Sequence, residues 1–323
     1  MTQVQSISVL ILITQVPFLT FKNENKIPII GLGTSQASSV EVIQAVKDAI
    51  DIGYRHIDCA FIYKNEKDVG TALAAKISDG TVKREDLFIT SKLWNTYHRP
   101  GIVETALRRS LKDLRLEYVD LYLVHWPLGY KEEEQSNNQE IQPQFSDYDY
   151  VDTWKAMEEI QKKGLAKSIG LSNFNKHQIE RVLEKAEILP VVNQIERHPY
   201  FNQEKLIDFC KSKNIEIIAY SPFGSPGRFQ NRMKLLEDDR LKKIANKYNK
   251  TPAQIALRWQ IQKNVVVIPK SINKSRLREN FDIFNFTLSL EDMSVIDSFH
   301  NGERLILLSM ANTHKLYPFN DEF

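Results

Sequence analysis

Residues 87–126 read LFITSKLWNTYHRPGIVETALRRSLKDLRLEYVDLYLVHW, and this stretch decides the fold. It contains an apolar run at 87–93, an amphipathic helical pattern at 102–114 and a second apolar run at 119–126. Both runs are rich in Leu, Ile, Val and Tyr without strict polar alternation, which is typical of strands covered on both faces. A strand, a helix and a strand in this order predict a parallel pair joined by a right-handed crossover.

The same alternation continues in both directions along the chain. Eight apolar runs of strand length occur, at residues 28–34, 56–60, 87–93, 119–126, 167–173, 191–196, 215–221 and 265–270. Helical patterns separate them, at residues 39–52, 65–77, 102–114, 153–163, 176–186, 203–213 and 252–262. Eight alternations predict an α/β fold, a closed (β/α)8 TIM barrel. An open doubly wound sheet is the alternative, but no GxGxxG motif follows any run.

Composition excludes several classes of protein. The chain has 43 Lys and Arg against 41 Asp and Glu, a net charge of +2, so we expect neither nucleic acid nor an anionic membrane as a partner. Apolar residues make up 42% and charged residues 26%, which argues against disorder. Two cysteines, Cys59 and Cys210, cannot build a disulfide scaffold or a zinc module, and they suit a reducing compartment. We therefore expect a cytoplasmic protein.

We expect one barrel domain, residues 23–323, after an N-terminal extension, residues 1–22. Within the extension, the apolar stretch 7–19 is shorter than the ~20 residues that span a bilayer. A signal peptide requires a basic N-terminal region, and here no Lys or Arg precedes Lys22. We expect an edge strand or a packed extension there, and a cleaved leader is the alternative. Long irregular stretches at 129–150 and 223–234, and the tail after Ser298, are expected as loops over the active-site face.

Polar residues close most of the predicted strands. They are Asp58, Lys92, His125, Asn173, Glu196, Ser221 and Lys270. In a β/α barrel, the C-terminal ends of the strands form the face that carries the active site. One charged residue in such a place is usually a solvated rim position, but seven residues of both charges with a histidine predict a site.

Four residues of this face predict acid–base chemistry: Asp58, Tyr63, Lys92 and His125. A tyrosine has a reference pKa of ~10, and a neighbouring lysine is expected to lower it, with a carboxylate to hold the lysine. The imidazole can orient a substrate oxygen. The alternatives are an ordinary ion pair, a packing tyrosine and a buried histidine, or a Schiff-base lysine at Lys92. No metal-ligand spacing occurs, so we expect no catalytic metal.

A second group predicts an anion site. Lys270 and Ser271 end the last predicted strand, and a helix from about Lys274 carries Arg276. A helix N-terminus after a late barrel strand commonly binds phosphate, and two cations suit a phosphate monoester. The alternative is a basic helix start on the surface.

Seven sequence blocks make the chain similar to the aldo-keto reductase superfamily, and the tail resembles arthropod members. They are GYRHIDCAFIYKNE (53–66), ITSKLW (89–94), LVHWP (123–127), SIGLSNFN (168–175), NQIERHPY (193–200), AYSPFGSP (219–226) and IPKSINKSRLREN (268–280). The resemblance runs from about Lys26 to the C-terminus. It implies a TIM barrel that binds NADPH in extended form and reduces aldehydes and ketones.

The resemblance also implies a role for each site residue. Tyr63 is the expected general acid, with Asp58 and Lys92 as electrostatic partners and His125 as the orienting residue. At the nicotinamide end, the expected cofactor contacts are Tyr220 at the ring and Ser172, Asn173 and Gln194 at the carboxamide. At the other end they are Lys270, Ser271 and Arg276 at the 2′-phosphate and Glu279 and Asn280 at the adenine. Further contacts are expected from Ser221, Phe223 and Ser225, in the loop that follows Tyr220. Related double-bond reductases have glutamate at the position of His125, so the histidine favours reduction of a carbonyl over reduction of a C=C bond.

Departures from the family pattern concern the cofactor latch and the substrate pocket. Ser35-Gln36 replaces a common Trp-Lys pair, and Gly227 replaces a common acidic residue, which predicts a looser latch and faster NADP⁺ release in stopped-flow experiments. The pocket is expected to be lined by Ser35, Trp94, Trp126 and Tyr317. Loss of the tryptophan at Ser35 predicts a wide mouth for bulky apolar carbonyls. The resemblance of the tail to arthropod members, which include reducers of ecdysteroid ketones, implies steroid or ecdysteroid ketones as substrates. The alternative function is that of a catalytically silent NADPH-binding protein. Most relatives of this length are monomers, so we also expect a monomer.

Overall fold

The computed structural model describes residues 16–132, 144–226 and 234–321. A hairpin of β1 (Phe18–Thr20) and β2 (Lys26–Pro28) comes first. Eight parallel strands then form one sheet in chain order: β3 (Leu32–Gly33), β4 (His56–Asp58), β5 (Phe88–Leu93), β6 (Val119–Val124), β7 (Ala166–Ser172), β8 (Val192–Glu196), β9 (Glu216–Tyr220) and β10 (Val266–Val267). Parallel bridges from Ile30 to Val267 and from Gly33 to Lys270 join the two ends. The sheet is therefore a closed eight-stranded barrel, as the sequence predicts.

Ten helices surround the sheet within the described ranges. They are α1 (Ser39–Ile52), α2 (Glu66–Ser78), α3 (Val103–Leu114), α4 (Tyr150–Lys162), α5 (Lys176–Lys185), α6 (Glu204–Ser212), α7 (Asp239–Tyr248), α8 (Pro252–Gln262), α9 (Lys274–Phe281) and α10 (Leu290–Asp297). Every residue of β5 and of β6 is buried, because side chains on one face fill the barrel and those on the other meet the helices. None of these helices is long and apolar enough to cross a membrane.

Side-chain caps set several helix starts near the barrel mouth. Oδ1 of Asn175 accepts from the backbone nitrogen of Gln178 at 2.9 Å, and Oε1 of Gln178 accepts from the backbone nitrogen of Asn175 at 3.2 Å. This reciprocal capping box fixes the start of α5. Oδ1 of Asn273 accepts from the backbone nitrogen of Arg276 at 3.0 Å, so α9 begins directly after the last barrel strand.

The N-terminal hairpin lies at the opposite end of the barrel from these caps. Nδ2 of Asn25 donates to Oγ of Ser168 at 2.9 Å, near the N-terminal end of β7, and Phe21 packs edge-on against Phe88 at the start of β5. A cleft of about 170 Å³ lies beside this hairpin, far from the predicted site. The last residues of the apolar stretch 7–19 thus lie in or next to an edge strand, and residues 7–15 lie outside the described part of the chain.

Two sequence predictions need correction, and two helices were missed. The first barrel strand contains only Leu32 and Gly33 of the predicted range 28–34, because Pro28 pairs in the hairpin and Gly31 lies against His56, where a Cβ would come within 2.4 Å of the ring. The predicted helix 153–163 begins earlier, at Tyr150, since Asp149 caps it. Helices α7 and α10 were not predicted.

Candidate active site

Asp58 and Lys92 form a buried ion pair at the C-terminal ends of β4 and β5. Nζ of Lys92 donates to Oδ1 of Asp58 at 2.5 Å and to the backbone oxygen of Cys59 at 2.9 Å. The exposed fractions of the two side chains are 2% and 0%. Tyr63 lies in a short 3-10 turn after β4, and its hydroxyl oxygen is 3.5 Å from Nζ of Lys92. The structure therefore brings these three predicted residues together.

The electrostatics of this group correct one expectation. Burial raises the pKa of Tyr63, and the Lys92 ammonium lowers it by less, so the net pKa lies above the usual value rather than below it. Burial by itself lowers the pKa of Lys92, but Asp58, Tyr63 and Cys59 together outweigh that effect and the net pKa is raised. Lys92 therefore stays protonated, which makes it a poor Schiff-base nucleophile. Tyr63 stays protonated at neutral pH and is loaded as a proton donor.

His125 follows β6 and faces Tyr63. Their rings meet edge to face with centroids 6.0 Å apart, and Trp94 packs on the imidazole at 5.3 Å. Burial and the Lys92 charge hold the pKa of His125 well below its usual range. Nδ1 is buried and has no hydrogen-bond partner among the described residues. The imidazole is therefore neutral at physiological pH and has hydrogen-bonding capacity left for a ligand.

The predicted nicotinamide-side residues form a connected hydrogen-bond network with the acid–base group. Nδ2 of Asn173 donates to the backbone oxygen of His125 at 3.0 Å, and the Tyr220 hydroxyl donates to Oδ1 of Asn173 at 2.7 Å. Asn173 has a φ of +63°, a left-handed conformation that asparagine tolerates better than most residues. The Ser172 hydroxyl donates to the backbone oxygen of Gln194 at 3.0 Å. These side chains hold one another in place at the barrel mouth.

The loop after β9 carries the other predicted cofactor contacts. Ser221 and Ser225 both have positive φ angles, and the Ser225 hydroxyl donates to Oγ of Ser221 at 2.8 Å. Phe223 is half-buried and packs against the core. Gly227, on which the predicted loss of the latch depends, lies outside the described residues.

The predicted phosphate end lies at β10 and α9. Lys270 pairs with Gly33, which in turn pairs with Asp58, so Lys270 and Asp58 lie two strands apart on the same end of the barrel. Lys270 and Arg276 are exposed, and neither forms an ion pair within the described part of the chain. Of the other three predicted contacts, Ser271 and Asn280 are buried and Glu279 is half-buried. Oε1 of Glu279 accepts from the Thr251 hydroxyl at 2.8 Å.

Aromatic side chains form a cluster that reaches His125 through Trp94. Trp126 and Tyr317 are buried, Trp94 is half-buried, and Phe319 packs edge-on against both Trp126 (5.6 Å) and Tyr317 (5.4 Å). Ser35 is half-buried in the loop after β3. The C-terminal tail thus supplies part of this aromatic cluster on the active-site face of the barrel, where the sequence predicts the tail.

Sequence reasoning missed three contacts of this face. Gln194 donates from Nε2 to Oδ2 of Asp58 at 2.8 Å, Glu196 binds the C-terminal tail, and Arg304 stacks on Phe319. Glu196 was visible as a polar strand end, but nothing in the sequence indicated its partners. No group of three or more His, Cys, Asp or Glu side chains in the described ranges could hold a metal ion.

Comparison with known proteins gives consistent matches. The model of the Aldo/keto reductase family matches residues 29–301. Aldo-keto reductase family 1 member A1-A of Danio rerio is 49% identical over 300 residues, covering 90% of this chain and 91% of that protein. Prostaglandin-E(2) 9-reductase of Oryctolagus cuniculus and estradiol 17 beta-dehydrogenase 5 of Mus musculus are each 48% identical, covering 92% of this chain and 95% of theirs. The structure of the aldose reductase from Schistosoma japonicum superposes with a TM-score of 0.90 at 42% identity, covering 95% of this chain and all of that one.

Proposed function

This chain belongs to the aldo/keto reductase family, and we propose that it reduces aldehydes and ketones to alcohols with NADPH, using Tyr63 as the general acid. It is an NADP-dependent oxidoreductase by family, and its relatives are named reductases and dehydrogenases. The observation that carries the proposal is the buried Asp58–Lys92 pair beside the Tyr63 hydroxyl.

In this proposal the proton comes from Tyr63. Its raised pKa keeps the phenol protonated at neutral pH, so the hydroxyl can donate to a carbonyl oxygen that gains negative charge. The Lys92 ammonium stabilises the phenolate that remains, and Asp58 keeps the ammonium in position. The neutral imidazole of His125 hydrogen-bonds the same oxygen and orients the carbonyl.

The chain's own residues fit NADPH, which supplies the hydride when it is bound. Lys270, between β10 and α9, and Arg276, in the first turn of α9, are exposed cations, and they suit the 2′-phosphate with Ser271. Tyr220 is fixed by its bond to Asn173 and would face the nicotinamide, whose carboxamide Ser172, Asn173 and Gln194 would hold. Ser221, Phe223 and Ser225 would contact the middle of the cofactor. Glu279 and Asn280 would contact the adenine.

We propose a bulky apolar carbonyl as the substrate class. Trp94, Trp126 and Tyr317 make the wall beside His125 apolar and aromatic, and the small Ser35 leaves room on the other side. Two relatives are named for prostaglandin and estradiol, which supports a bulky substrate, and we include steroid and ecdysteroid ketones in the proposal. We also propose that the protein acts as a monomer in the cytoplasm.

NADPH consumption against a panel of aldehydes, quinones and steroid ketones tests the function, with Tyr63→Phe as the paired variant. We expect Tyr63→Phe to lose about 10²–10⁴-fold in turnover while NADPH still quenches the tryptophan fluorescence. Turnover that survives in Tyr63→Phe would reject the acid role. No turnover in either protein, despite tight NADPH binding, would favour the catalytically silent alternative.

A further inference from the structure

Glu196 is a fully buried carboxylate that the proposed chemistry does not use. It ends β8, and its exposed fraction is 0%. Oε1 accepts from the backbone nitrogen of Leu305 at 2.8 Å and from Nε2 of His198 at 2.9 Å, and Oε2 accepts from the backbone nitrogen of Ile306 at 2.8 Å. Each oxygen of a buried carboxylate needs such partners, and here two of the three donors belong to the C-terminal tail.

The tail that Glu196 holds is the segment that completes the aromatic wall. We call residues 305–321 the C-terminal segment. The Tyr317 hydroxyl donates to the backbone oxygen of Leu307, next to the two amides that Glu196 binds. Phe319 lies against Trp126, the neighbour of His125 in sequence. A shift at residues 305–306 therefore reaches the wall of the predicted substrate pocket through Tyr317 and Phe319.

Arg304 reinforces the same attachment. Its guanidinium carbon lies 3.5 Å from the ring centroid of Phe319 and 4.5 Å from that of Phe201, so it stacks between a tail residue and a loop residue. Gln203 then links the two parts, because its Nε2 donates to the backbone oxygen of Glu196 at 2.5 Å and its Oε1 accepts from Arg304 at 3.4 Å.

The other end of the C-terminal segment is attached separately. Nε2 of Gln178 donates to the backbone oxygen of Leu316 at 2.9 Å, and Nδ2 of Asn175 donates to the backbone oxygen of Pro318 at 3.1 Å. The segment is thus held at its end by the start of α5 and at its beginning by β8. Loss of the Glu196 contact would free the beginning, including the backbone oxygen of Leu307 that holds the Tyr317 hydroxyl.

We propose that Glu196 is a positioning residue that sets the preference for bulky over small carbonyl substrates by fixing the C-terminal segment over the barrel mouth. This inference rests on the proposed carbonyl reduction. In Glu196→Gln, one side-chain oxygen becomes an NH₂ group that faces a backbone N–H and cannot accept from it. A bulky substrate that contacts Tyr317 and Phe319 loses binding when the segment moves, whereas a small aldehyde needs only Tyr63 and His125.

The experiment compares Glu196→Gln with Glu158→Gln, a control that makes the same substitution at a buried carboxylate whose two backbone bonds the amide oxygen of Gln can keep. Glu158 is also buried, and its Oε1 accepts from two consecutive backbone nitrogens, those of Glu187 at 2.8 Å and Ile188 at 3.0 Å, on the outside of the barrel. KM and kcat are measured for propanal and for phenanthrenequinone, with the Kd of NADPH. We expect Glu196→Gln to raise the KM of the quinone at least tenfold more than that of propanal. Glu158→Gln should leave the ratio of the two KM values unchanged.

A second variant keeps the inference testable if Glu196→Gln folds poorly, and a double-mutant cycle tests the inference where Glu196→Gln folds. Arg304→Met keeps the aliphatic stem but removes the stacked cation, and it should raise the quinone KM in the same selective way. In a double-mutant cycle with Phe319→Ala, Glu196→Gln should have little additional effect on the quinone, because the wall residue it positions is gone.

The opposite outcomes overturn the inference. Equal losses on propanal and the quinone would mean that Glu196 acts through β8 and the acid–base group instead. An unchanged quinone KM in both Glu196→Gln and Arg304→Met would show that the C-terminal segment does not set the substrate preference. Full additivity of Glu196→Gln with Phe319→Ala would show the same. The substrate ratio is independent of the Tyr63→Phe result, so failure of the acid role and failure of this inference can be told apart.

Discussion

Gln194 and Asp58 are joined across the barrel, with Nε2 of Gln194 donating to Oδ2 of Asp58 at 2.8 Å. Nζ of Lys92 donates to the other oxygen, Oδ1, at 2.5 Å, so both oxygens of this buried carboxylate accept a hydrogen bond. Gln194 and Glu196 are two positions apart on β8 and share one face of the strand. One strand therefore supports both the acid–base group and the C-terminal segment.

Asp58→Asn should strongly destabilise the protein, because it leaves the buried Lys92 ammonium without its counter-charge. Removing one partner of a buried ion pair costs about 3–5 kcal/mol in the free energy of unfolding, measured by urea denaturation. Asp152→Asn is the control, since its pair with Lys155 is exposed (60% and 61%) and should contribute no more than ~1 kcal/mol. Equal, small losses in the two variants would contradict a charged Lys92.

The pH profile of kcat/KM for carbonyl reduction should be flat from about pH 6.5 to 9. The raised pKa of Tyr63 keeps the acid protonated across this range, so activity is lost only as pH rises through a value above the reference of ~10. The lowered pKa of His125 keeps the imidazole neutral down to acid pH. Steady-state rates in buffers of constant ionic strength measure the profile.

A loss of activity on raising the pH through about 6.5 would instead indicate that His125, with an ordinary pKa, is the proton donor. The reverse reaction provides a second check. Alcohol oxidation needs the phenolate, so its rate should increase with pH where reduction is flat.

The sequence predicts the barrel and the acid–base residues because both depend on local pattern. Polar residues such as Asp58 and Lys92 stand out at the ends of apolar runs, and parallel strands bring those ends to one face. The contact of Gln194 with Asp58 joins residues 136 positions apart, and no periodicity reports it. The sign of the Tyr63 pKa shift also needed the structure, because burial depends on how the loops pack.

The missed helix α10 has a different physical cause. Helix α10 is short and keeps Leu290 and Val295 on its solvent side, which weakens the amphipathic signal. Its N-cap, Ser289 with Asp292 three positions later, is a local signal that could have located it. The tail attachment at Glu196 uses the backbone amides of Leu305 and Ile306, and backbone donors leave no trace in residue identity.

Lys270→Ala and Arg276→Ala should each raise the Kd of NADPH while leaving that of NADH nearly unchanged. A charge-assisted hydrogen bond contributes about 1.5–3 kcal/mol, so roughly a ten- to hundredfold effect is expected for each variant. Fluorescence titration measures both constants. Arg278→Ala is the control, because Arg278 is an exposed cation of the same helix without a predicted cofactor contact. Unchanged cofactor preference in the first two variants would reject the phosphate assignment.

Ser35→Trp should narrow the barrel mouth and raise the KM of bulky carbonyls about tenfold, with little change for propanal. The backbone next to Ser35 is fixed beside the acid–base group, because the Thr34 hydroxyl donates to the backbone oxygen of Asp58 at 2.9 Å and Asn65 donates to the backbone oxygen of Thr34 at 2.9 Å. An indole at this position therefore cannot move away with its loop and must occupy part of the pocket. Steady-state kinetics with phenanthrenequinone and propanal measure the effect, and Ser35→Ala is the control. If Ser35→Trp binds the quinone as well as the unmodified protein does, the open wall at Ser35 is not what admits bulky substrates. The selectivity would then rest on the C-terminal segment alone.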